Sequence, residues 1–495
     1  MSSKCVFITA DHGLSVVYFL QSDVVPTLLD AGVEVVLLTD DDLVDRISAR
    51  FARPGLVVEG LQIKQAEYYY RHEHHDMQWW LNFLRRAGGS RQINTEAMDA
   101  YIRQIKTEQR SPRRRMMYVP MRGMVEVLRR SSVARKGLVQ IQKRFTPDLY
   151  TDLFDRYNPD MVIANTPGWR IDRYLMHEAA ARGIPNTAAI VGWDNPSSYA
   201  IPGAPTQHVT CWSEKQKDEL VLGSDWQPEN VNISGIPTYD GYIRGEWQIS
   251  REDYFKRHQL DPERKLISYA CSFETFSPNI QNIEALAHMV TGNRFSSSSQ
   301  LLVRLHPNHF MRDWPYIVAE RQKIIQLEKE LPHVHVVAPQ SLGGTLGYYS
   351  GEDMDEKSSM MAYSDVFVTV YSTMVVETAI HGRPVVSACI DAPGGGWNIH
   401  RKFSLALSEI GNWPTHQRFR EAGAGRVALD ETSLFETVNM YLQDEKLDDD
   451  KRRAFVKQEI TFTDGSAGKQ TGDYLLSLLN VNNANLKRPV PEKGR

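Results

Sequence analysis

The residues with the clearest chemical potential are a histidine and a pair of hydroxyl residues about 65 positions further along the chain. His306 lies near the end of the apolar run at residues 301–308 (LLVRLHPN). Ser372 and Thr373 follow another apolar run and precede a segment with helical spacing that carries Glu377. Hydroxyls and free backbone N–H groups at a helix start can bind phosphate, because the helix dipole is positive there. A histidine from a neighbouring strand end would reach the same phosphate, so the pattern predicts a site for a nucleotide-activated sugar.

Two further residues near predicted strand ends are candidates for binding the same ligand. Arg304 lies two positions before His306, so on a strand both side chains point to the same face. Arg304 therefore either contacts the phosphate or forms a solvent-facing ion pair. Ser272 ends the apolar run at residues 265–272 (KLISYACS) and is a candidate contact for phosphate or nucleotide. The alternative for Ser372 is a helix cap without a ligand.

A second group of candidates lies in the first half of the chain, where polar loops follow apolar runs. Asp11 and His12 belong to the segment ADHG, and Asp194 belongs to GWDNPSS at residues 192–198. Transfer to a hydroxyl needs a base that takes the proton as the new bond forms, and His or Asp can do this at neutral pH. Each of these residues is therefore a candidate catalytic residue. The structural alternative is a tight turn at Gly13 and a turn made by Asp-Asn-Pro.

No spacing in the chain is typical of a metal site. The histidine-rich segment at residues 71–75 (RHEHH) lacks an HExxH pattern, and its adjacent histidines would point apart on a helix. Asp353 and Asp355 form a DxD pattern that is better interpreted as a helix start. We therefore expect no metal and no cofactor. The charge of a leaving phosphate would be stabilised by the helix start, the hydroxyls and His306.

The elements that would position these residues alternate between strands and helices. The strands are nearly continuous in apolar residues, as parallel strands buried on both faces are, so two doubly wound α/β domains are predicted. They cover residues 1–245 and 246–450, with a helical insertion at about 67–145 in the first. A helix at 451–479 would return to the first domain, and the polar residues 480–495 would be disordered. A ligand cleft is expected where the carboxyl ends of the two sets of strands face each other.

Composition and charge limit the class of protein. The chain has 495 residues, 42% hydrophobic and 24% charged, and a formal net charge of −4, which is typical of a globular protein without a general affinity for nucleic acid. No apolar stretch approaches 18 residues, and the first strand begins too early for a signal peptide. Four cysteines without CxxC spacing indicate core thiols in a reducing, cytoplasmic compartment: Cys5, Cys211, Cys271 and Cys389.

Basic residues are concentrated between residues 103 and 144, where apolar residues are interleaved with them. Such a segment could lie on anionic lipid at the inner face of a membrane, with each cation contributing on the order of 1 kcal/mol. The equal alternative is a solvated insertion that binds an anionic acceptor or a protein partner.

With two such domains, the histidine-proline pair and the Ser-Thr pair, the chain resembles the GT-B glycosyltransferases. It is most similar in motif to bacterial sialyltransferases and to CDP-glycerol glycerophosphotransferases. The resemblance implies that His306, Ser372 and Thr373 bind donor phosphate and that Glu377 binds ribose hydroxyls. Residues 233–242 (ISGIPTYDGY) resemble the segment where such enzymes cross between domains. The acidic pair followed by glycine in the sialyltransferases has only an approximate match at residues 11–13.

The resemblance predicts a metal-independent, inverting glycosyltransferase that moves a sugar from a nucleotide to a hydroxyl of a carbohydrate or glycolipid acceptor, as in surface glycan biosynthesis. Two other enzymes are compatible with the same motifs: a CDP-glycerol-type polyol-phosphate transferase and a non-hydrolysing sugar-nucleotide epimerase. An inactive nucleotide-sugar-binding scaffold is the alternative from another class. It would keep His306 and Ser372 but tolerate loss of Asp11 and His12.

Overall fold

Two parallel β-sheets, one from each half of the chain, form the framework of the protein. The computed structural model describes residues 4–108, 111–272, 277–311, 313–344, 347–391 and 406–480. The predicted disordered tail, apart from Asn480, lies outside these ranges. Within them, no helix is long and apolar enough to cross a membrane.

The first sheet has seven strands in the order β3-β2-β1-β4-β5-β6-β7, and all neighbouring strands are parallel. The strands are β1 Cys5–Ala10, β2 Glu34–Thr39, β3 Leu56–Gly60, β4 Met161–Ala164, β5 Asn186–Ala189, β6 His208–Cys211 and β7 Val231–Ile233. The associated helices are α1 Gly13–Leu20, α2 Val24–Asp30, α3 Val44–Phe51, α4 Ile63–His72, α5 His75–Ala87, α6 Glu96–Glu108, α7 Pro112–Arg130, α8 Ser132–Gln142, α9 Thr151–Tyr157, α10 Asp172–Ala181, α11 Asn195–Ser198, α12 Glu214–Ser224 and α13 Asp240–Arg244.

The second sheet has six parallel strands in the order β10-β9-β8-β11-β12-β13. The strands are β8 Lys265–Ala270, β9 Ser299–Arg304, β10 Val334–Val337, β11 Val366–Thr369, β12 Val385–Ala388 and β13 Arg426–Ala428. The helices are α14 Arg251–Arg257, α15 Asn279–Thr291, α16 Asn308–Met311, α17 Pro315–Glu330, α18 Met354–Tyr363, α19 Met374–Ile380, α20 Leu407–Ile410, α21 Pro414–Ala422, α22 Glu431–Gln443, α23 Asp449–Ile460 and, returning to the first sheet, α24 Ala467–Leu478. Short 3₁₀ helices are Asp41–Leu43, Lys143–Phe145, Pro228–Asn230, Pro237–Tyr239 and Gly347–Tyr349.

The apolar runs of the sequence become the central strands because helices cover both faces of each sheet. Every residue of β1 (CVFITA), β8 after Lys265, and β9 is buried. In both sheets the strand order reverses next to the first strand, between β1 and β4 and between β8 and β11. The prediction of an α/β fold with two doubly wound, Rossmann-like sheets is therefore confirmed. Open sheets of this order bind ligands at the carboxyl ends of the strands beside this reversal.

Helices α4 to α8 lie between β3 and β4, and α5 to α8 pack around their own apolar core. That core contains Trp80, Phe83, Leu84, Met98 and Leu128, all buried. Apolar and basic residues alternate along this part of the sequence because α7 buries one face against the core and exposes the other. The helical character expected for this part of the chain is present, although α4 begins a few residues before Glu67.

The carboxyl-terminal part of the chain forms two helices where one was expected. The chain turns between α23 and α24 because Thr461 adopts a positive φ of 62° and Gly465 one of 76°. Helix α23 packs against α19 and α21 of the second half, whereas α24 packs against α2 of the first. The backbone N–H groups of Ala467 and Gly468 donate to the carboxylate of Asp240, at 3.2 and 2.7 Å. The second helix is therefore the one that returns to the first sheet.

Replacing Gly472 by valine should destabilise the contact between α24 and α2. A Cβ at Gly472 would lie 2.6 Å from the Cβ of Thr27, and overpacking of this kind costs about 1–3 kcal/mol. The free energy of unfolding measured in urea checks this. Lys469→Val, at an exposed position of the same helix, is the matched control. Equal losses for the two variants would show that the close contact contributes nothing.

Candidate functional site

A cavity of about 180 Å³ lies between the carboxyl edges of the two sheets. The register of the second sheet determines which residues reach this cavity. Ala270 at the end of β8 pairs with Arg304 at the end of β9, and the hydroxyl of Thr369 at the end of β11 donates to the carbonyl of Ala270 at 3.2 Å. The residues just after β8, β9 and β11 therefore meet at one edge. The cavity is lined from the second half by Ala270, Cys271, Arg304, Leu305, His306, Pro307, Tyr349, Gly351, Asp353, Met354, Lys357, Ser372, Thr373, Met374 and Glu377, and from the first by Leu14, Val17, Val191, Gly192, Trp193, Trp212, Ile236, Thr238, Tyr239 and Tyr242.

His306 lines the cavity as a neutral hydrogen-bond donor. Its Nδ1 accepts from the backbone N–H of Asn308 at 3.1 Å, so the proton of the neutral ring is on Nε2. Burial, followed by the charges of His309 and Arg304, lowers the pKa of His306 to about 3. The ring is therefore uncharged at neutral pH and can offer one N–H to a ligand.

Ser372 and Thr373 line the same cavity at the turn between β11 and α19. The preceding residue, Tyr371, has a positive φ of 25°, which is rare for a bulky side chain and costs on the order of 1–3 kcal/mol. The hydroxyl of Ser372 accepts from the backbone N–H of Met374 at 3.3 Å, so its own proton is left to donate elsewhere. The hydroxyl pair is thus held at the edge of the cavity by a strained turn.

Glu377 is buried at the cavity wall, and one of its carboxylate oxygens is held by two residues. The hydroxyl of Tyr242 donates to Oε2 at 2.8 Å, and Nζ of Lys357 lies 2.6 Å from the same oxygen. Burial, followed by the charge of Glu377, raises the pKa of Tyr242 far above its usual range, so the tyrosine stays a donor. Tyr242 belongs to α13, so this network joins the two halves of the chain. No pattern in the sequence indicated Lys357 as a partner.

Arg304 lines the cavity within a buried ion pair. Its Nη2 lies 2.6 Å from the carboxylate of Asp353, and both residues are buried. This corrects the solvent-facing ion pair considered as an alternative from the sequence, because the end of β9 is covered by the loop that carries Asp353. Nη1 of Arg304 is buried without a hydrogen-bond partner among the described residues. Asp353, interpreted from its DxD pattern as a helix start, does precede α18 but also fixes this guanidinium.

Ser272 is not among the residues that line the cavity. Its backbone N–H donates to Oδ1 of Asn279 at 3.0 Å, and its carbonyl accepts from Nδ2 of the same residue. Residues 273–276, which follow it, lie outside the described ranges.

Asp11 is buried below the carboxyl edge of the first sheet and does not line the cavity. Nε of Arg170 lies 3.0 Å from its carboxylate, and Nδ2 of Asn165 donates to it at 2.6 Å. Burial alone would raise the pKa of Asp11, but the charges of Arg170 and His12 and these hydrogen bonds lower it. Asp11 is therefore an ionised carboxylate whose oxygens are already engaged, which is a poor arrangement for a base.

His12 is half-buried at the start of α1, two residues before the cavity-lining Leu14. Its Nδ1 lies 2.7 Å from Oγ of Ser15, and the hydroxyl proton of Ser15 is directed to the carbonyl of His12 at 2.6 Å. The backbone N–H of Ser15 also donates to Nδ1, at 3.2 Å, so Nδ1 is an acceptor and the proton of the neutral ring is on Nε2. Burial and the charge of Arg170 lower the pKa of His12 to about 4, so the ring is neutral at pH 7.

Asp194 also lies outside the cavity wall, although its neighbours Gly192 and Trp193 are part of it. Its Oδ2 accepts from the hydroxyl of Ser198 at 3.1 Å, which closes a turn at the start of α11. The structure therefore brings together His306, Ser372, Thr373, Glu377 and Arg304 at the cavity, but not Ser272, Asp11, His12 or Asp194. Across the described ranges, no group of three or more His, Cys, Asp and Glu side chains could hold a metal ion.

The first half contributes a largely apolar wall of Trp193, Trp212, Tyr239 and Tyr242. The rings of Trp212 and Tyr239 pack edge to face with centroids 5.4 Å apart, and those of Tyr239 and Tyr242 are tilted by 30° with centroids 5.7 Å apart. The sequence singled out the segments that contain Trp193 and Tyr242. It gave no indication of Trp212, because a tryptophan after a strand is more often a core residue.

Comparison with known proteins shows the fold. A scan against protein-family models and a search of curated protein sequences found no match. Among solved structures, UDP-GlcNAc 2-epimerase from Neisseria meningitidis bound to UDP-GlcNAc is 11% identical, with 96% of this chain and 100% of that chain covered and a TM-score of 0.54. The S. aureus protein MnaA with UDP is 11% identical, with coverages of 97% and 98% and a TM-score of 0.54. A glycosyltransferase from Rickettsia africae is 8% identical, with coverages of 98% and 100% and a TM-score of 0.50. These likenesses confirm the predicted GT-B-type fold.

Replacing Lys357 by methionine should destabilise the protein by about 3 kcal/mol, because it leaves the buried Glu377 without its cation. Adding Glu377→Gln should restore most of that loss, since a neutral amide can still accept from Tyr242. Urea denaturation of both single variants and the double variant measures the coupling. Lys323→Met, which breaks an exposed pair with Glu284, is the matched control and should cost less than about 1 kcal/mol. Additive losses for Lys357 and Glu377 would refute the coupling.

Proposed function

We propose that this protein is a metal-independent, inverting glycosyltransferase that acts in the cytoplasm. It would bind a nucleotide-activated sugar at the second sheet and transfer the sugar to a hydroxyl of a carbohydrate or glycolipid. The observation that carries the proposal is the convergence of three kinds of donor on one cavity: the Nε2–H of His306, the hydroxyls of Ser372 and Thr373, and Nη1 of Arg304.

The donor phosphate is proposed to lie against these groups. Neutral N–H and O–H donors together with one guanidinium suit a phosphate, whose negative charge increases as the bond to the sugar breaks. Two structural neighbours were solved with UDP-GlcNAc and with UDP bound, which supports a nucleotide moiety as the ligand. No metal is needed in this scheme, because the side chains provide the stabilising groups.

Glu377 is proposed to bind the ribose. Tyr242 and Lys357 both contact its Oε2, which leaves Oε1 to accept hydrogen bonds from sugar hydroxyls. The aromatic wall on the opposite side would exclude water and pack against the transferred sugar. Ser272 is retained only as a proposed contact to the nucleotide.

His12 is proposed as the acceptor-side catalytic residue. The acceptor oxygen would attack the anomeric carbon as the bond to the phosphate oxygen breaks, and the imidazole of His12 would take the hydroxyl proton. The contacts of Nδ1 with Ser15 hold the ring at the start of α1. Asp11 would act by holding Arg170 and the loop, and Asp194 remains the alternative base.

A second candidate is a sugar-nucleotide epimerase, which would use the same donor site without an acceptor. The name of the Neisseria neighbour makes this the direct alternative. A polyol-phosphate transferase differs in that attack occurs at phosphorus, and an inactive scaffold would bind nucleotide without turnover. Product analysis with a nucleotide sugar, with and without oligosaccharide acceptors, separates these alternatives.

The insertion is proposed to hold the protein on an anionic membrane surface. Helix α7 exposes an apolar stripe on its outer face, with Met116 and Val119 each about three-quarters exposed and Met124 and Val127 about half exposed. Exposed cations lie on α7, on α8 and on the 3₁₀ helix that follows: Arg113, Arg130, Lys136 and Arg144. An apolar stripe between cations is the surface expected of a helix that lies in the headgroup region of anionic lipid.

Titration with CMP, CDP, UDP and GDP should reveal binding of at least one nucleotide. His306→Ala should weaken that binding about tenfold or more, because it removes a hydrogen bond to a charged phosphate. Calorimetry measures both affinities, and His288→Ala, at an exposed histidine of α15, is the matched control. If none of the four nucleotides binds, the proposed donor site is wrong.

His12→Ala is the complementary variant in the same experiment. It should leave nucleotide affinity unchanged and abolish sugar transfer, whereas a role in donor binding would change both. Turnover should persist in EDTA. A requirement for added Mg²⁺ or Mn²⁺ would contradict the metal-free scheme.

Sedimentation with vesicles tests the membrane surface. The protein should pellet with vesicles that contain phosphatidylglycerol and less with phosphatidylcholine alone at low salt. Met116→Ser with Val119→Ser should reduce binding, and Arg113→Gln should reduce it about fivefold, since each cation near the surface contributes about 1 kcal/mol. Leu222→Ser, at an exposed leucine of α12, is the control. Binding that does not depend on lipid charge would refute the proposal.

A further inference from the structure

Four arginines gather where the helical insertion meets the carboxyl edge of the first sheet. Arg85 and Arg86 lie on α5, and Arg170 and Arg173 lie at the start of α10 or just before it. Nη1 of Arg173 donates to the carbonyl of Arg170, and the charge of Arg173 acts directly on Arg85. The cluster adjoins the loop of His12, because Arg170 contacts Asp11 at 3.0 Å.

The two buried members of this cluster have no carboxylate partner within ion-pair distance among the described residues. Arg85 donates only to the amide oxygens of Gln142 and Asn82. Arg173 donates to a carbonyl and to the hydroxyl of Tyr174, and its Nε is buried without a partner. Burial and the charge of Arg173 lower the pKa of Arg85 to about 9. Unpaired buried cations are costly, so such a pair needs a compensating anion.

The partly exposed edge of the cluster also contains N–H donors without acceptors. The guanidinium of Arg86 lies between two aromatic rings, 4.0 Å from the centroid of Tyr101 and 4.5 Å from that of Tyr199, and its Nε is buried without a partner. Trp169 stacks on Tyr199 at 5.5 Å, and its ring N–H is also buried without a partner. Arg86, Arg173 and Trp169 thus each have one buried N–H donor that no acceptor among the described residues satisfies.

The carboxylates nearby do not neutralise the cluster. Asp11 pairs with Arg170 alone. Asp172 accepts from the hydroxyl and the backbone N–H of Thr166, and burial, followed by the charge of Asp11, raises its pKa to about 7. Four guanidiniums therefore face two carboxylates, and burial favours the neutral form of one of them, Asp172.

We propose that this cluster binds an anionic group of the acceptor, a phosphate or a carboxylate, beside the hydroxyl that receives the sugar. The inference rests on the proposed function, because it names the acceptor of the same cleft. Guanidiniums bind both groups through paired N–H donors, and burial strengthens the contact. The site is at the reversal of strand order in the first sheet, as the donor cavity is in the second.

Binding of such an anion would also act on the proposed base. The charge of Arg170 is one of the causes that lower the pKa of His12. An anion beside Arg170 offsets that charge and raises the pKa of His12 towards the range in which a base is effective at neutral pH. The acceptor would thereby prepare the residue that removes its proton.

Calorimetric titration of the full-length protein with glucose 6-phosphate, glucuronate and uncharged glucose tests the site. Each titration is performed on wild-type protein saturated with its nucleotide and on His306→Ala without nucleotide, so that the donor site cannot account for binding. Either anion should bind and glucose should not. The tighter of the two arms identifies phosphate or carboxylate as the group recognised.

Arg86→Gln with Arg170→Gln should weaken anion binding about tenfold or more while nucleotide affinity stays unchanged. Both side chains are partly exposed, so folding should be retained, and thermal unfolding monitors it. Arg53→Gln, at an exposed arginine of the same half, is the matched control. Independently of any variant, the anions should raise the melting temperature of wild-type protein.

Absence of anion binding by wild-type protein, or equal binding by the double variant, would overturn the inference even if nucleotide binds. If wild-type protein binds no nucleotide, the proposed function is wrong. Anion binding at the cluster is then judged from the His306→Ala titration.

Discussion

The cavity depends on one buried carboxylate, that of Glu377, which both halves of the chain must satisfy. Tyr242 donates to it from the end of the first half, and Lys357 approaches it from the second. A buried charge without partners costs several kcal/mol, so this contact favours the arrangement in which the two sheets face each other at a fixed distance. The same contacts of Glu377 place the residues at the carboxyl edge of the second sheet opposite the aromatic wall of the first half.

Other ion pairs and hydrogen bonds around the cavity also join the two halves of the chain. Arg418 on α21 pairs with Glu219 of α12 and with Glu459 of α23, at 2.7 and 2.9 Å, and the ring N–H of Trp193 donates to Glu459 at 2.6 Å. On the opposite side, Nε2 of Gln21 donates to the carbonyl of Ser350 at 3.0 Å. Since these links join elements far apart in sequence, the two halves are connected by directional contacts around the cavity rather than by apolar packing alone.

The sequence predicted the elements that depend on local residue patterns. It did not predict contacts that depend on a partner far away in the sequence. Apolar runs identified the central strands, and the residues after them identified His306, Ser372 and Glu377 as neighbours at one edge. The three-residue strand β13 carries too little periodicity to be recognised, and the turn at Thr461 that divides the last helix has no glycine or proline at that position. Asp353 and Lys357 could not be assigned to Arg304 and Glu377, because ion pairs leave no spacing signal. The same holds for Arg170, which makes Asp11 a buried ion-pair partner.

Charge is balanced differently at the cavity and at the arginine cluster. At the cavity His306 is neutral and Arg304 is paired with Asp353, so these groups carry little net charge. In the proposed function they would stabilise a phosphate through aligned dipoles, and these interactions would gain strength as charge accumulates on the leaving group. Beside the first sheet, four guanidiniums face two carboxylates, those of Asp11 and Asp172. None of these arginines lines the cavity, whose first-half wall is largely apolar, so an anion attracted to them would bind apart from the proposed nucleotide site.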